Sequence, residues 1–335
     1  MTVSELGERA LLSRIQARLS TTGRRNASLV IGIGDDAAVV APTRNAYTVL
    51  TTDAHVEGVH FDRRYSAPAD IGHRALAVNL SDLAAMGAKP VWALLSLVLP
   101  DDLQVVDVEA MVGATAGLGQ QFGCEVIGGN LTRSLGPLVV DVTAIGEVSP
   151  RRLLARSGGR PGDELWVSGS LGAAAAGLEM LRSGQGDPTA GLGNCIARFL
   201  RPEPRVRMGL AMAQARAARA AMDLSDGLAD GAHQLAEASG CGVEIEANRL
   251  PIEPAARAWW EAAGHDAVLR AMSGGDDYEL LFAVPRSWGG RLRHARSRVA
   301  EPSLTPIGVL TKDPGARVLL RSGARESLPR GFEHF

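Results

Sequence analysis

The stretch VLTTDAHVEGVHF, residues 49–61, decides the architecture of the first half of the chain. Its β-branched, apolar beginning predicts a strand, and the two threonines and the aspartate that follow bring oxygen atoms to the end of that strand. Hard cations in proteins are bound by such oxygen ligands. We therefore take Asp53 as the centre of a predicted metal site, although a strand that ends in a solvated acidic turn explains this stretch equally well.

The composition is that of an ordinary soluble globular protein. The chain has 335 residues, of which 46% are hydrophobic and 39 are glycine, and this length suggests about two α/β domains. A net charge of −2 predicts no general attraction to nucleic acid or to an anionic membrane. The three cysteines are far apart and indicate neither a disulfide framework nor a zinc site. No apolar run reaches the length of a membrane span, so we expect a cytoplasmic protein.

A glycine turn with two acids resembles a nucleotide-binding fingerprint but lacks the helix that this fingerprint requires. The tripeptide GIG at residues 32–34, with Asp53 about 20 residues later, imitates the dinucleotide-binding pattern. That pattern requires a helix after the glycines to receive the pyrophosphate, whereas residues 37–41 continue as a predicted strand. Asp35 and Asp36 would also repel a bare phosphate. These two carboxylates are better suited to divalent cations that in turn hold phosphates.

An aspartate interrupts the apolar stripe of a helix predicted over residues 68–88. The stripe runs from Ile71 to Met86 at helical spacing, and Asp82 stands on it. A buried acid is costly unless it is paired or bound to metal. We predict Asp82 as a second metal ligand, and the alternative is a structural acid that is hydrogen-bonded to neighbouring polar groups.

The other elements of the first half follow from apolar runs and helical stripes. A helix is predicted over residues 4–19 with Ser4 as its N-cap, and further strands and helices are predicted over residues 91–100, 103–122, 125–134 and 138–148. Asn130 follows two glycines that permit close backbone approach to a ligand, unless the segment is only a tight hairpin. Pro150 and a basic stretch then mark a boundary between domains at residues 1–149 and 150–335.

The second half contains two more acidic turns. A short strand leads into DLSDG, residues 223–227, and a helix begins near Leu228, so that Ser225 or Asp226 could be a simple N-cap. The segment MSGGDDYELLFAVP predicts Asp276 and Asp277 on an exposed loop before a strand. The tail LPRGFEHF ends in aromatic residues that form either a packing plug or a ligand lid.

This set of acids and amides, without a thiolate cluster or a histidine pair, favours magnesium-like ions held with phosphates. Phosphoryl transfer is the natural class of reaction. A P-loop is excluded, because the only lysines are Lys89 and Lys312 and neither follows a glycine within such a motif. The strand lysine and His-Arg-Asp motifs of protein kinases are absent as well.

Seven motifs in order and spacing resemble the thiamine-monophosphate kinase family and cover nearly the whole chain: GIGDDAAVV, TTD with GVHF, AVNLSDLAAMGAKP, IGGNLTR, ARSGGRPGDELWVSG, MDLSDGLADG and SGGDDYEL. The resemblance implies the two-domain α/β (α+β) fold of the aminoimidazole-ribotide-synthetase-like superfamily. In that fold residues 1–149 bind ATP and metal and form a shared β-barrel in a homodimer, and residues 150–335 form a second α/β domain.

The resemblance also implies roles for individual residues. Magnesium ligands are implied at Asp36, Thr51, Thr52, Asp53, Asp82, Asn130, Asp223 and Asp226. ATP contacts are implied at Gly129, Asn130, Arg156 and Ser225, with substrate contacts at His60, Asp276 and Phe332. The catalytic set is Asp53, Asp82, Asp223 and Arg156. Two positions depart from the commoner pattern: Asn130 replaces an aspartate and therefore lacks its charge, and Asp276 replaces a longer glutamate.

The implied reaction is transfer of the ATP γ-phosphoryl group to thiamine monophosphate, which yields thiamine diphosphate, with Mg2+ ions that neutralise the phosphates. Two alternatives remain: another ATP-dependent enzyme of the same fold, such as aminoimidazole-ribotide synthetase, selenophosphate synthetase or the hydrogenase-maturation dehydratase, and a non-catalytic nucleotide-binding module. The selenium enzyme needs an N-terminal cysteine or selenocysteine, and the maturation enzyme needs a C-terminal cysteine. This chain has its first cysteine at Cys124 and ends in Phe335.

Overall fold

A computed structural model describes residues 1–20, 28–33, 37–184, 193–299, 301–320 and 322–329. The chain divides into two compact units. Unit 1 comprises Met1–Leu83 and Lys89–Pro150, and unit 2 comprises Ala84–Ala88 and Arg151–Phe335. Among the described residues no helix is both long and apolar enough to cross a membrane.

Unit 1 is a four-stranded sheet with four helices and a small two-stranded ribbon. Its helices are α1 (Val3–Leu6), α2 (Glu8–Ser20), α3 (Pro68–Ala85) and α4 (Val105–Phe122), and its strands are β1 (Leu29–Ile31), β2 (Val39–Val40), β3 (Tyr47–Val56), β4 (Lys89–Pro100), β5 (Glu125–Ser134) and β6 (Val139–Val148). The main sheet has the order β3-β6-β4-β5, and β1 and β2 form a separate small ribbon. Strands β4 and β5 are parallel because α4 connects them.

The alternation of β6 shows how the two faces of this sheet differ. Every second residue from Val140 onward is fully buried, and the residues between them are only partly buried. We call the buried side the helix face and the opposite side the open face. Gly72 lets α3 and α4 approach closely, because a side chain there would clash with the Met111 carbonyl. Gly119 lets the segment after α4 turn back against this helix, because a side chain there would clash with the Cys124 carbonyl.

Unit 2 is a larger mixed sheet with helices. Its strands are β7 (Glu164–Ser168), β8 (Ala220–Asp223), β9 (Gly242–Glu246), β10 (Leu280–Val284), β11 (Leu304–Thr311), β12 (Ala316–Leu319) and β13 (Arg325–Ser327). The sheet order is β13-β12-β9-β11-β7-β10-β8. Its helices are α5 (Ala173–Ser183), α6 (Gly193–Leu200), α7 (Val206–Ala215), α8 (Leu228–Ala238), α9 (Pro254–Ala262), α10 (Ala267–Ser273) and α11 (Gly289–Arg298).

A buried ion-pair network lies where β10 begins. Glu279 is completely buried and accepts hydrogen bonds from Arg205 Nε at 2.8 Å, from Arg205 Nη2 at 2.6 Å and from Arg198 Nη2 at 2.6 Å. The Ser168 hydroxyl donates a further bond at 2.5 Å. A buried carboxylate is tolerated only when it is paired and hydrogen-bonded in this way. The network therefore connects β7 and β10 to the segments that precede α7.

The structure corrects several boundaries predicted from the sequence. The N-terminal helix is broken at Gly7, whose φ is +80°, and Thr2 rather than Ser4 caps α1 in a capping box with Glu5. The strand expected over residues 37–41 is only Val39–Val40. The pair of glycines before Asn130 is not a hairpin turn but lies inside β5. Similarly, Asp53 lies within β3, which continues to Val56, rather than at its end.

We predict that Glu279→Gln lowers the free energy of unfolding by about 3 kcal/mol or more, because two arginines lose the charge that compensates them in a buried site. Denaturant titration of the variant measures this loss. Glu203→Gln is the matched control, because Glu203 also pairs with Arg205, at 2.9 Å, but is 70% exposed. Its effect should stay below about 1 kcal/mol. Equal losses for both variants would contradict the stabilising role of the buried pair.

Candidate active site

The predicted ligands of β3 divide between the two faces of the unit 1 sheet. In a strand, successive side chains point to opposite faces. Thr51 and Asp53 pair with Ala144 and Val142 on the helix face. There the Thr51 hydroxyl donates a short hydrogen bond to the carboxylate of Asp82 on α3. The structure thus brings Thr51 and Asp82 together.

Thr52 lies on the open face instead. Its hydroxyl donates to the Asp141 carboxylate at 3.1 Å and lies 3.1 Å from the Thr143 hydroxyl. Asn130 shares this face, because it pairs with Ser96 and Ser96 pairs in turn with Asp141. The five predicted ligands of unit 1 that lie in the described residues therefore do not form one cluster.

Gly129 has a structural reason to be glycine. A Cβ atom at this position would lie 1.8 Å from the carbonyl oxygen of Leu95 on the neighbouring strand. The close approach predicted for the glycine pair is therefore an approach between two strands. A contact of Gly129 with ATP stays a prediction.

A cavity of about 940 Å³ lies over the open face. Its floor includes Asn130, Asp141 and Thr143, and α2 contributes apolar side chains such as Leu12 and Ile15. Small-molecule sites commonly have this form, mostly apolar with a few converging polar groups. This cavity is large enough for a nucleotide-sized ligand.

His60 lies just after β3 beside a second histidine. Its Nδ1 accepts a hydrogen bond from the backbone N–H of Val56 at 3.1 Å, so the neutral ring carries its proton on Nε2. The ring centroid lies 5.4 Å from that of His55, which is buried. Burial lowers the pKa of His55 well below 6.5, and the charge of Arg74 lowers it further. His55 is therefore neutral near pH 7.

Two loops of unit 2 hold the other predicted acids. The first follows β8 and contains Ser225 and Asp226; the second contains Asp276. The N–H of Asp276 donates to the carbonyl of Ser225 at 2.7 Å, and glycines allow the loops to touch: a Cβ atom at Gly275 would lie 2.6 Å from that same oxygen. Asp223 is the last residue of β8 and is buried. The structure therefore brings Asp223, Ser225, Asp226 and Asp276 into one region.

The second loop carries backbone strain. Asp276 and Tyr278 have φ angles of +69° and +50°, a region that L-residues rarely adopt. Each such residue costs on the order of 1–3 kcal/mol and persists where the surrounding structure or the function requires it. The Tyr278 hydroxyl also donates to the Asp276 carboxylate at 3.2 Å. Asp276 is thus held in a defined position despite the strain.

Arg156 is exposed and is positioned by α8. Its guanidinium donates to the side-chain oxygen of Gln234, and Gln234 donates in turn to Asp230. Because α8 begins directly after the Ser225–Asp226 loop, this chain of hydrogen bonds connects Arg156 to the helix that follows the predicted ligands. These hydrogen bonds hold the guanidinium of Arg156 beside α8.

Asp277 is buried, whereas the sequence predicted it on an exposed loop. Its carboxylate accepts hydrogen bonds from the backbone N–H groups of Gly172 at 2.6 Å and Ala174 at 3.3 Å, at the start of α5. Burial raises the pKa of Asp277 to about 7, although these hydrogen bonds and Arg198 act in the opposite direction. The sequence did not indicate this burial, because the depth of a loop depends on the elements that pack around it.

Asp36 and Phe332 lie outside the described residues, so their predicted roles have no structural description. Within the described ranges no group of three or more His, Cys, Asp or Glu side chains could hold a metal ion by itself. The predicted donors are instead a few carboxylates with hydroxyl and amide oxygens. This chemistry fits Mg2+, which is usually bound by one or two carboxylates and keeps its remaining positions for water and phosphate.

Sequence reasoning overlooked Asp141 and Thr143. The segment LVVDVTAIGEV was interpreted only as a strand, although its period of two places both polar residues on the same face. That alternation was the available signal. What it could not show is that Thr52 from β3 faces the same side.

Comparison with known proteins identifies the family. Residues 34–148 match the family described as AIR synthase related protein, N-terminal domain, and residues 160–321 match the corresponding C-terminal domain. The chain is 37% identical to the thiamine-monophosphate kinase of Escherichia coli (strain K12) over 98% of both proteins. The chain belongs to the thiamine-monophosphate kinase family. The two-domain fold expected from the sequence is thereby confirmed.

Two solved structures of thiamine-monophosphate kinases support the same assignment. The enzyme from Stenotrophomonas maltophilia K279a superposes with a TM-score of 0.81 at 38% identity, and the match covers 92% of this chain and 95% of the other. The structure of AaThiL complexed with AMPPCP and TMP gives a TM-score of 0.77 at 35% identity and covers 100% of this chain and 99% of the other. The family match therefore extends over both units.

The raised pKa of Asp277 predicts a pH dependence of stability. The folded protein keeps this proton up to about pH 7, whereas the unfolded chain releases it near pH 3.8. The unfolded state is therefore favoured as pH rises between these values, and the contribution to stability falls. We expect Asp277→Asn to remove this decline, which amounts to about 1 kcal/mol or more between pH 4.5 and 7.5. Denaturant titrations across that range measure it.

The control is Asp313→Asn, which changes an exposed acid of the same unit. Its stability curve should run parallel to that of the unmodified protein. A curve for Asp277→Asn that is also parallel over the whole range would contradict the raised pKa.

Proposed function

We propose that this chain phosphorylates thiamine monophosphate to thiamine diphosphate with ATP as the phosphoryl donor. The observation that carries the proposal is the near-complete match to thiamine-monophosphate kinases, at 37% identity over 98% of both proteins. A structural relative of this family, similar over its whole length, is complexed with AMPPCP and TMP. The oxygen donors on both units support the same reaction, because two phosphates must be neutralised before they can approach each other.

In unit 1 we propose Thr51, Asp53 and Asp82 as Mg2+ ligands on the helix face, and Thr52 and Asn130 as ligands on the open face. The hydrogen bond from Thr51 to Asp82 supports the first group, because it shows that α3 reaches β3 at this point. The proposed contact of Gly129 and Asn130 with ATP is supported by the cavity that both residues line. Asp36 completes the proposed set from the sequence alone.

In unit 2 we propose Asp223 and Asp226 as further Mg2+ ligands, Ser225 and Arg156 as contacts to ATP, and Asp276 as a contact to the substrate. The hydrogen bond between Asp276 and Ser225 supports this assignment, because it joins the two loops and so holds Ser225, Asp226 and Asp276 in one region. His60 of unit 1 and Phe332 of the tail are proposed substrate contacts. An aromatic ring suits the cationic thiazolium through cation–π attraction.

The acceptor of the reaction is a phosphate oxygen that is already ionised near neutral pH. The P–O bond between the β- and γ-phosphates of ATP breaks, the γ-phosphoryl group bonds to this oxygen, and ADP leaves. No strong general base is required, so the residues of this chain act by binding, orienting and neutralising. Bound Mg2+ supplies positive charge to the phosphate oxygens. Arg156 adds a positive charge that stabilises the negative charge of the transition state.

We propose residues 1–149 as the ATP- and metal-binding domain, residues 150–335 as the second domain, and a homodimer in which two copies of the unit 1 sheet form a β-barrel. Strand β3 is an edge of that sheet, and its Tyr47 and Leu50 are more than half exposed, which supports pairing with another strand. Unpaired Cys124, Cys195 and Cys241 are compatible with the reducing cytoplasm that we propose as its location.

The direct test is incubation with ATP, Mg2+ and thiamine monophosphate, followed by separation of products. We expect thiamine diphosphate and ADP in equal amounts. Asp53→Asn, Asp82→Asn and Asp223→Asn should each lower turnover by about two orders of magnitude or more, because each removes charge from a metal site at nearly constant volume. Thermal unfolding should show that all three variants still fold.

Asp313→Asn again serves as the control, because it removes an exposed charge far from these loops in sequence, and its turnover should be normal. A variant with near-normal turnover at saturating Mg2+ would remove that residue from the ligand set. Activity on another phosphate acceptor, with no thiamine diphosphate formed, would assign the chain a different reaction within the fold.

Nucleotide binding should depend on Mg2+, because the chain has no lysine-bearing phosphate loop to bind ATP alone. Titration calorimetry with ATP should show binding in the presence of Mg2+ and a loss of at least tenfold in affinity with excess chelator. Tight ATP binding in the presence of chelator would contradict the proposed mode of binding.

A further inference from the structure

Tyr278 is a buried aromatic residue in a backbone conformation that suits glycine. Its φ angle is +50°, and only 8% of the residue is exposed. A bulky L-residue in this region of φ is a genuine outlier. Gly274 and Gly275 occur earlier in the same loop, whereas a tyrosine occupies this strained position. Backbone strain that is retained together with a large side chain points to a use for that side chain.

The hydroxyl of Tyr278 reaches the carboxylate of Asp276. It donates a hydrogen bond to Oδ1 at 3.2 Å, across only two positions of the chain. Burial fixes the aromatic ring, and a tyrosine has few rotatable bonds, so its hydroxyl is a donor in a fixed place. The last torsion of an aspartate, by contrast, has a broad distribution. The hydrogen bond therefore selects one orientation of a carboxylate that is itself only half-buried.

The backbone of this loop is held by other contacts. The N–H of Asp276 donates to the carbonyl of Ser225 at 2.7 Å, and the N–H of Tyr278 donates to the carbonyl of Leu224 at 3.0 Å. These hydrogen bonds are made by main-chain atoms, so loss of the Tyr278 hydroxyl leaves them in place. The hydroxyl thus acts on the side chain of Asp276 rather than on the path of the loop.

We propose that Tyr278 is a positioning residue for the phosphoryl acceptor, because its hydroxyl orients the Asp276 carboxylate toward that substrate. The inference deepens the proposed function and rests on it for the identity of the acceptor, thiamine monophosphate. Asp276 is one methylene shorter than a glutamate, so its reach is short and its orientation decides whether the contact is made. A carboxylate attracts the cationic thiazolium end of the acceptor and repels a plain phosphate.

The role of Tyr278 therefore lies in recognition of the acceptor rather than in the chemical step. An interaction with the organic end of the acceptor is equally strong before and in the transition state, so it lowers KM without raising kcat. ATP does not carry this cationic group. The KM for ATP should therefore not depend on Tyr278.

Steady-state kinetics of Tyr278→Phe test the proposal, because this change removes the hydroxyl and keeps the ring. We expect the KM for thiamine monophosphate to rise about three- to tenfold, which is the loss typical of one hydrogen bond. The KM for ATP and kcat should each change by less than about twofold.

The matched control is Tyr47→Phe, which removes the same hydroxyl group from a residue of unit 1 that is 54% exposed. Its kinetic constants should equal those of the unmodified protein. A purely structural role of Tyr278 would lower thermal stability and leave both KM values unaltered or alter them alike. Either of these kinetic results would overturn the proposal.

A double-mutant cycle decides whether the hydroxyl acts through Asp276. Asp276→Gly removes the carboxylate and suits the φ angle of +69°, and thermal unfolding establishes that the variant folds. This change alone should raise the KM for thiamine monophosphate. Addition of Tyr278→Phe should raise it by less than about twofold more, because the group that the hydroxyl orients is already absent. Increases that multiply would show independent action and would overturn the proposal.

Calorimetric titration with thiamine monophosphate, in the presence of Mg2+ and without ATP, separates this inference from the proposed function. Weaker binding to Tyr278→Phe, with no thiamine diphosphate formed by the unmodified protein, would sustain the positioning role and reject the kinase reaction. Thiamine diphosphate formation by the unmodified protein, with equal acceptor affinity in the variant, would do the reverse. Absence of any binding to the unmodified protein would overturn both.

Discussion

The pairing of β3 with β6 is the constraint on which the unit 1 site depends. The two strands pair over ten residues without a register shift, from Tyr47 opposite Val148 to Val56 opposite Val139. Because the side-chain period of a strand is two, a slip of one residue would exchange the faces of every side chain. The burial of Val140, Val142 and Ala144 under the helices prevents such a slip. The hydrophobic core thereby determines which oxygen atoms face each side of the sheet.

Unit 2 positions its acids in another way. The two loops lie outside the regular strands, and their arrangement depends on the elements beneath them. Leu224 donates its N–H to the carbonyl of Glu279, and Tyr278 donates to the carbonyl of Leu224, so the loops extend the ladder between β8 and β10. The buried carboxylate of Glu279 then fixes the start of β10 against two arginines. Strain at Asp276 is sustained by this rigid base.

A chain with a net charge of −2 has no general attraction for polyphosphates. Its acids are nevertheless compatible with phosphoryl transfer, because a carboxylate that holds a divalent cation presents positive charge to the substrate. Thr51 and Thr52 are neighbours in the sequence, but their side chains lie on opposite faces of the sheet and in different environments. Thr51 is hydrogen-bonded to Asp82 on α3, and Thr52 is hydrogen-bonded to Asp141 beside the cavity.

The sequence by itself determined the family and the types of residue that could bind magnesium and phosphate. It also determined the two-unit α/β composition and most helices and strands. These features could be predicted because apolar periodicity and short motifs are local properties of the chain. The tertiary structure decided which of these residues meet. Thr51 with Asp82 and Thr52 with Asp141 are contacts between residues 31 and 89 positions apart. It also decided that Asp277 is buried, because the depth of a loop depends on the helices packed around it. Such contacts follow from strand register and helix packing, which no local pattern encodes.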